Sequence, residues 1–297
     1  MTKKSLLASI AALAAAGLVN GASAQNAGPA NAPDFSSMTS AWLALGTDFK
    51  EVPGTPAIVT NDDAHPHVGN GGGKQSSFRF ADLNNPNLTD FAKASLKKTN
   101  DEVLRGKAVF SREARCWPTG VPTYDLNQAQ PVYFIQTPKE VTMIWQMDHQ
   151  VRHIYLNVPH SANPKPSWYG ESVGHYEGDT LVVDTIGIDT KTFVDNFETP
   201  HTEKLHTVER FRMTNGGMGM EVALHVEDEG AFTTPWNAIQ RYKRVEPGVA
   251  EAKVENSLLG STGDAGPILE SSCAENPNGL FGAAGALPLP QTSRPDF

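Results

Sequence analysis

The chain has 297 residues, a formal net charge of −9 and two cysteines. Because an acidic surface repels phosphate backbones, this composition argues against nucleic acid as a partner. The length suits one domain with appendages, or at most two small domains.

The first residues are organised like a secretion signal. Lys3 and Lys4 precede the apolar run 6–19, and the small residues at 22–24 follow it, in the order of a charged region, an apolar region and a cleavage site. The run is shorter than the roughly 20 residues that span a bilayer, and no later stretch of the sequence is long and apolar enough to do so. We therefore expect residues 1–24 to be a signal peptide and the mature protein to be periplasmic or secreted, without membrane insertion.

Two segments precede the β-rich part of the chain. Residues 25–80 are rich in asparagine, proline and glycine, which favours a loop-rich or linker segment. In residues 81–130 apolar side chains recur at spacings near three and four, which predicts a short helical extension. Thr89 or Asn87 is available to cap its first helix.

The cysteines and the tail add two expectations. Outside the cytoplasm, a single pair such as Cys116 and Cys273 forms a disulfide more often than a metal site. We leave the bond open, because sequence does not show whether the two sulfurs lie close together. Residues 247–297 are interpreted as a C-terminal extension with a flexible end.

Residues 131–246 break into short β-prone runs separated by turn residues. Gly178-Asp179 and Asn215-Gly216 are typical of tight hairpins. The pattern predicts eight strands, at 132–137, 140–147, 151–157, 172–176, 180–186, 205–214, 220–227 and 238–245. A meander of this size has exposed edges unless it closes, so we predict a mainly β fold, an antiparallel eight-stranded lipocalin-like barrel. A β-sandwich is the alternative, because hairpin spacing does not distinguish closure from stacking.

The segment 166–185, PSWYGESVGHYEGDTLVVDT, resembles a family of exported bacterial proteins of unassigned function. The likeness continues through 200–211 and backward through 115–122 and 152–157, and it spans roughly 84–245. It implies an exported β-rich domain. It brings no catalytic residues with it, so it bears on fold and compartment alone.

Strand alternation predicts which polar side chains share a face, because residues two apart point the same way. His153 and Tyr155 fall on one face of their strand and Arg152 on the other. Faces that mix apolar bulk with one ionisable group suit a small-molecule pocket. They equally suit a barrel in which buried ion pairs fix the register, and this is the favoured role for Arg152, Asp184, Glu209 and Arg210.

For acid and base catalysis we look for a histidine and a carboxylate that face one bound molecule. His175 with Glu177 is the best local pair, and His201 with Glu203 lies at the start of the next hairpin. Hydrogen-bond donors for a developing oxyanion would come from the preceding strand. The catalytic candidates are His175, His201, Glu177, Glu203, Tyr155 and Arg152.

The ligand-binding candidates are Trp168, Tyr169, His153 and Glu209. Trp168 and Tyr169 lie in a proline-rich loop just before the motif, and aromatic rings line sites for flat or sugar-like molecules. The bland alternative for any aromatic residue is an ordinary core position, which we favour for Trp145.

Two functional hypotheses follow. The first is periplasmic binding of a small, partly apolar organic molecule in the mouth or lumen of the barrel. The alternative is a cofactor-independent lyase, isomerase or hydratase that uses histidine and glutamate as acid and base. The sequence has no serine-hydrolase elbow, zinc-protease helix, P-loop or dinucleotide fingerprint, so we expect no cofactor and no metal. A homo-oligomer is left open.

Overall fold

A computed structural model describes residues 32–37, 40–65, 79–105, 117–126, 131–145 and 150–245. These residues form ten strands and one α-helix. The elements are β1 (Ala41–Ala44), β2 (Lys50–Glu51), α1 (Asp90–Leu104), β3 (Val132–Gln136), β4 (Glu140–Trp145), β5 (Gln150–Leu156), β6 (Glu171–Glu177), β7 (Thr180–Ile186), β8 (His206–Thr214), β9 (Gly219–Glu227) and β10 (Trp236–Val245).

Nine of the strands close into a barrel. Their order is β1-β3-β4-β5-β6-β7-β8-β9-β10, and β10 returns to pair with β1. Ala41 lies opposite Val245 and Trp42 opposite Val132, so β1 joins the two ends of the sheet. The short strand β2 pairs with the first part of β10. Closure confirms the predicted barrel and excludes the sandwich, because each barrel strand has a partner on both sides.

The barrel is mixed. Its pairs are antiparallel except that β5 and β6 run parallel, with Ile154 opposite Ser172. Antiparallel neighbours alternate in direction, so a closed ring with an odd number of strands requires a parallel pair. The connection 157–170 accordingly returns along the barrel, since parallel neighbours cannot be joined by a hairpin. The prediction of eight strands, all antiparallel, was therefore wrong in number and in the direction of one pair.

β1 is the barrel strand that was not predicted, and like the short β2, which was not predicted either, it lies in the segment interpreted as loop or linker. All four of its residues, Ala41–Ala44, are buried. A strand buried on both faces shows no alternation of polar and apolar residues, which is the signal that identified the others. The eight predicted strands recur in the structure with ends within two residues of the predicted ones.

Helix α1 packs against the loop between β9 and β10. It begins after Thr89, whose hydroxyl accepts a hydrogen bond from the Ala92 amide at 3.3 Å and donates to the Gly230 carbonyl at 2.7 Å. Thr89 was one of the two predicted caps. Leu96 is buried one turn after Ala92, and Asn100 one turn later makes two hydrogen bonds to the backbone of Ala81.

Two apolar clusters fill the interior. One includes Trp42, Phe134, Trp145 and Phe211 inside the barrel. The other joins α1 and the neighbouring loops to the ends of β9 and β10. Glu209 of β8 lies opposite Val183 of the first cluster and Leu224 of the second, so the clusters meet at its level.

Several predictions concern other parts of the chain. The signal peptide, both cysteines and the C-terminal extension lie outside the described residues. Within the described ranges, no helix has the length and hydropathy needed to cross a bilayer.

Candidate functional site

A buried ion pair lies inside the barrel. Alternation along β5 turns Arg152 inward, where its side chain is fully buried. Its Nη1 donates to Glu209 Oε1 at 2.8 Å and its Nη2 donates to Glu209 Oε2 and to Thr185 Oγ1, while Nε donates to Ser172 Oγ at 3.2 Å. Burial alone would lower the pKa of Arg152, but Glu209 outweighs burial and raises it. The charge on Glu209 is thereby neutralised in a bidentate pair.

A second carboxyl group adjoins this pair. Asp125 lies in a short 3-10 turn, Thr123–Leu126, and its Oδ1 accepts the Tyr242 hydroxyl at 2.9 Å. Burial raises the pKa of Asp125 far above its ordinary value, and the charge of Glu209 raises it further. Because both effects disfavour the carboxylate, we assign a proton to Asp125. The group of three is electrically neutral overall.

Several buried polar groups in or near this layer have no hydrogen-bond partner among the described residues. They are the hydroxyl groups of Tyr124 and Thr207, the indole nitrogen of Trp145 and Oδ2 of Asp125. The Tyr124 ring packs edge-on against the Trp145 ring at 5.5 Å and against the Tyr169 ring at 5.6 Å. A buried donor left unpaired costs about 1–3 kcal/mol, so an acceptor supplied by a bound molecule would be stabilised here.

Aromatic side chains continue from this layer to the surface. Tyr169 donates from its hydroxyl to Gln150 Oε1, which also accepts the Thr119 amide at 3.3 Å. Next to it, Trp168 is half-buried and packs against Trp117 at 5.7 Å. We call this end of the barrel the mouth, defined by Trp117, Trp168, Tyr169, Gln150 and Tyr124.

A glycine holds the mouth loop against the barrel. Gly170 follows Tyr169 directly and has φ of +63°, and a side chain there would overlap the Ile186 carbonyl oxygen. Ser167 pairs with Ile188 in a parallel bridge just before it. The backbone of Trp168 and Tyr169 is therefore fixed on both sides.

The predicted pair His175 and Glu177 lies on the outer wall. Their side chains are about half exposed and 3.0 Å apart, and Glu177 also accepts from Arg210 at 2.7 Å. Arg210, and then His175, lower the pKa of Glu177. Glu177 is therefore ionised at neutral pH and unsuited to donate a proton.

The second predicted pair does not join the first. His201 is buried in the loop before β8, with Nε2 2.8 Å from Thr192 Oγ1 and Nδ1 2.9 Å from the Thr202 carbonyl oxygen. Glu203 is exposed. Both ring nitrogens of His201 bind loop atoms, so its position fits a structural role.

Three of the remaining predicted residues lie on β5 and divide between its two faces. Tyr155 and His153 point outward and stack on each other, and His153 Nδ1 lies 2.5 Å from Glu140 Oε1. Arg152 points inward to Glu209. The structure thus brings Arg152 together with Glu209, and Trp168 together with Tyr169, but it does not gather the six catalytic candidates into one centre. We do not carry them forward as a catalytic set.

Tyr124, Asp125 and Gln150 were missed as site residues. Tyr124 and Asp125 belong to a 3-10 turn inserted between strands, where no periodic pattern marks a side chain as inward-facing. Gln150 begins β5 at a position interpreted as a turn. Trp145 is fully buried, as expected for a core residue.

Two cavities of the structure are lined by residues outside the mouth. A cavity of about 10 Å³, enough for one water molecule, lies among Phe49, Leu126, Asp195 and Trp236. A depression of about 180 Å³ lies on the outer wall beside Arg210. Among the described residues, no three histidine, cysteine, aspartate or glutamate side chains are placed to hold a metal ion.

Comparisons with protein-family models, curated proteins and solved structures found no match. The resemblance of the 166–185 segment to exported bacterial proteins therefore stays a prediction.

Proposed function

We propose that this protein binds a small, partly apolar organic molecule at the mouth of the barrel, in the periplasm or outside the cell. The supporting observation is the aromatic path from half-buried Trp168 through Tyr169 to buried Tyr124, which ends at unpaired donors. Apolar walls with a few placed polar groups are the usual composition of a small-molecule site.

The mouth is a better binding place than the lumen. Large side chains occupy inward positions of the barrel, and Trp42, Phe134 and Phe211 are at most 1% exposed. A molecule that entered the lumen would have to displace them, at a cost of several kcal/mol in lost packing. At the mouth it contacts the half-buried Trp117 and Trp168 first, and it reaches the buried Tyr124 hydroxyl only if the Tyr169 ring, which packs against Tyr124, moves aside.

The polar end of the molecule is expected to be a neutral hydrogen-bond acceptor, such as a carbonyl or ether oxygen. Arg152 is neutralised by Glu209, and Asp125 keeps its proton, so the layer offers no free charge to attract an ion. Of its unpaired groups, Tyr124 O–H, Trp145 N–H, the Thr207 hydroxyl and the protonated carboxyl group of Asp125 can all donate.

Mass spectrometry of the protein purified from its native compartment, under conditions that keep bound molecules attached, tests the proposal. We expect one unaltered small molecule per chain. Trp168→Ala should lose most of it, because an aromatic contact contributes about 0.5–1.5 kcal/mol beyond the area that it buries. His175→Ala on the outer wall is the matched control and should retain it. An empty wild-type protein, or equal occupancy in both variants, would contradict binding at the mouth.

A cofactor-independent lyase, isomerase or hydratase is the second candidate. The observation that favours it is the neutral carboxyl group of Asp125 beside the Arg152–Glu209 pair, since displaced pKa values cluster at catalytic sites. This candidate assigns the acid to Asp125 instead of His175 or His201. Conversion of the captured molecule during incubation would favour the enzyme, and its release unchanged would favour the carrier.

A further inference from the structure

Imidazole and carboxylate groups alternate along the outer wall beside the mouth. They connect the mouth loop, 157–170, to four successive strands, β6 to β9. We call the group the mouth chain, and its members in spatial order are Glu171, His160, Asp184, His206, Glu227 and His225.

His160 bridges two carboxylates. Its Nδ1 lies 3.1 Å from Glu171 Oε1 and its Nε2 lies 2.8 Å from Asp184 Oδ1. A neutral imidazole carries one N–H and one lone pair, whereas the imidazolium carries two N–H donors. Both contacts are therefore hydrogen bonds only when His160 is protonated. In the neutral ring one lone pair faces a carboxylate oxygen, which is repulsive.

His206 repeats the arrangement on the other side of Asp184. Its Nε2 lies 3.1 Å from the same Asp184 Oδ1, and its Nδ1 lies 4.0 Å from Glu227 Oε2. Glu227 in turn lies 2.8 Å from His225 Nε2, whose Nδ1 faces the Asn237 side chain at 2.8 Å. Protonation of His206 would thus be balanced by carboxylates on both sides, as for His160.

The position of His160 links this chain to the mouth. His160 belongs to the same loop as Trp168 and Tyr169, while Glu171 and Asp184 belong to β6 and β7. Ser161 adds bonds to Glu171 from its amide at 2.6 Å and from its hydroxyl at 2.7 Å. These bonds, and then His160, lower the pKa of Glu171, so that this carboxylate stays ionised where histidine titrates.

We propose that the mouth chain is a proton-operated latch, in which protonation of His160 and His206 fastens the mouth loop to the barrel wall. Because carboxylates flank both imidazoles, protonated rings favour the latched form, which we expect to gain over the loose form as the pH falls. Any effect of the latch on a bound molecule rests on the proposed function, whereas the latch itself does not.

Hydrogen exchange of the full chain without ligand tests the latch. Amide protection of 161–170 is measured at about pH 5.5 and about pH 7.5, on either side of the histidine range, and corrected for the intrinsic exchange rate. We expect protection to be about two- to tenfold greater at the lower pH, as suits one or two partly exposed ion pairs. His160→Gln should remove the difference. His175→Gln, which breaks a similar outer-wall pair away from the loop, should keep it.

A second variant keeps the test independent of changes within the loop. His206→Gln leaves 157–170 unaltered and should reduce the pH difference in the same peptides. Equal protection of the wild type at both pH values would overturn the latch, as would an undiminished difference in both His160→Gln and His206→Gln.

Ligand occupancy measured at the same two pH values separates the two proposals. A pH-dependent loop with no bound molecule at either pH would remove the proposed function and leave the latch standing. A bound molecule, together with loop protection that is equal at both pH values, would support the proposed function and overturn the latch.

Discussion

Arg152 and Glu209 place a positive and a negative charge inside an apolar barrel. Their bidentate geometry offsets the cost of desolvating the two charges. Each guanidinium nitrogen has an oxygen partner on Glu209, Ser172 or Thr185. Buried pairs of this kind add little net stability, because desolvation offsets the attraction, but removal of one member leaves a charge with no partner. The contribution of the pair is therefore tested by the free energy of unfolding that is lost when one member is replaced.

Arg152→Met is expected to lower the free energy of unfolding by about 3–5 kcal/mol at neutral pH. The cost arises because Glu209 then retains a buried charge with no cation beside it. The double variant Arg152→Met/Glu209→Leu should recover most of this loss, since apolar groups of similar volume take the place of both charges. Urea unfolding curves of the three proteins give the comparison, and equal losses in the single and double variants would refute the explanation.

Asp195 offers a pH test at a single residue. It accepts hydrogen bonds from the Phe197 and Thr199 amides and from the Thr199 hydroxyl. Burial nevertheless raises its pKa from 3.8 to about 6. The native state thus holds this proton more tightly than the unfolded chain does, so the contribution of Asp195 to stability falls as pH rises from about 4 to about 6 and stays low above that.

Asp195→Asn should remove this dependence. The amide retains the acceptor for the two backbone donors and donates to the Thr199 hydroxyl instead. We expect the variant to match the wild type near about pH 4 and to exceed its free energy of unfolding by up to about 3 kcal/mol near about pH 7. Asp179→Asn, in an exposed hairpin turn, is the control. A constant offset between Asp195→Asn and the wild type across this pH range would show that Asp195 does not titrate in it.

At the level of elements, the parallel pairing of β5 and β6 determines where the mouth loop runs. A hairpin would have kept the connection at the end where β5 finishes. The parallel partner instead begins at the opposite end, so the chain returns along the wall and delivers Trp168 and Tyr169 to the mouth. The aromatic residues of the site are therefore positioned by strand direction.

Gly170→Ala tests how tightly that loop is held. Gly170 and Gly178 both have φ near +62°, so alanine carries a similar backbone cost of about 1–2 kcal/mol at either position. Only at Gly170 does the new Cβ also meet the Ile186 carbonyl oxygen. We expect Gly170→Ala to lower Tm more than Gly178→Ala and to shift the tryptophan emission of the mouth. Indistinguishable Tm values would mean that the loop adjusts without cost.

For the whole molecule, the sequence predicted the strands wherever local chemistry marks them. The turn glycines at 178 and 216 separate runs with clear alternation, and those runs became β6 to β9. β1 escaped because its four residues are all buried, and the barrel was counted one strand short as a result. The parallel pair follows from that count, since nine strands cannot close in a fully alternating ring.

The site was less predictable than the fold. The sequence identified Trp168, Tyr169, Arg152 and Glu209 as candidate site residues. The residues that they contact in the structure lie far away in the sequence. Asp125 accepts the Tyr242 hydroxyl from a turn with no periodic signal. His175 and His201 were each paired with a nearby glutamate from their chemistry alone. The structure places His175 on the outer wall and His201 in a buried loop.

Barrel closure through β1 also sets the order of assembly. Ala41 and Val245 lie at opposite ends of the described chain, yet they pair directly. Until both are available, β3 to β10 form an open sheet with two unpaired edges, a template for contact with other chains. Contacts of such long sequence separation form slowly, because the entropy of loop closure precedes any gain from pairing. Among the described strands, the last to be synthesised thus completes a ring that the first one begins, and folding has to outpace association at those edges.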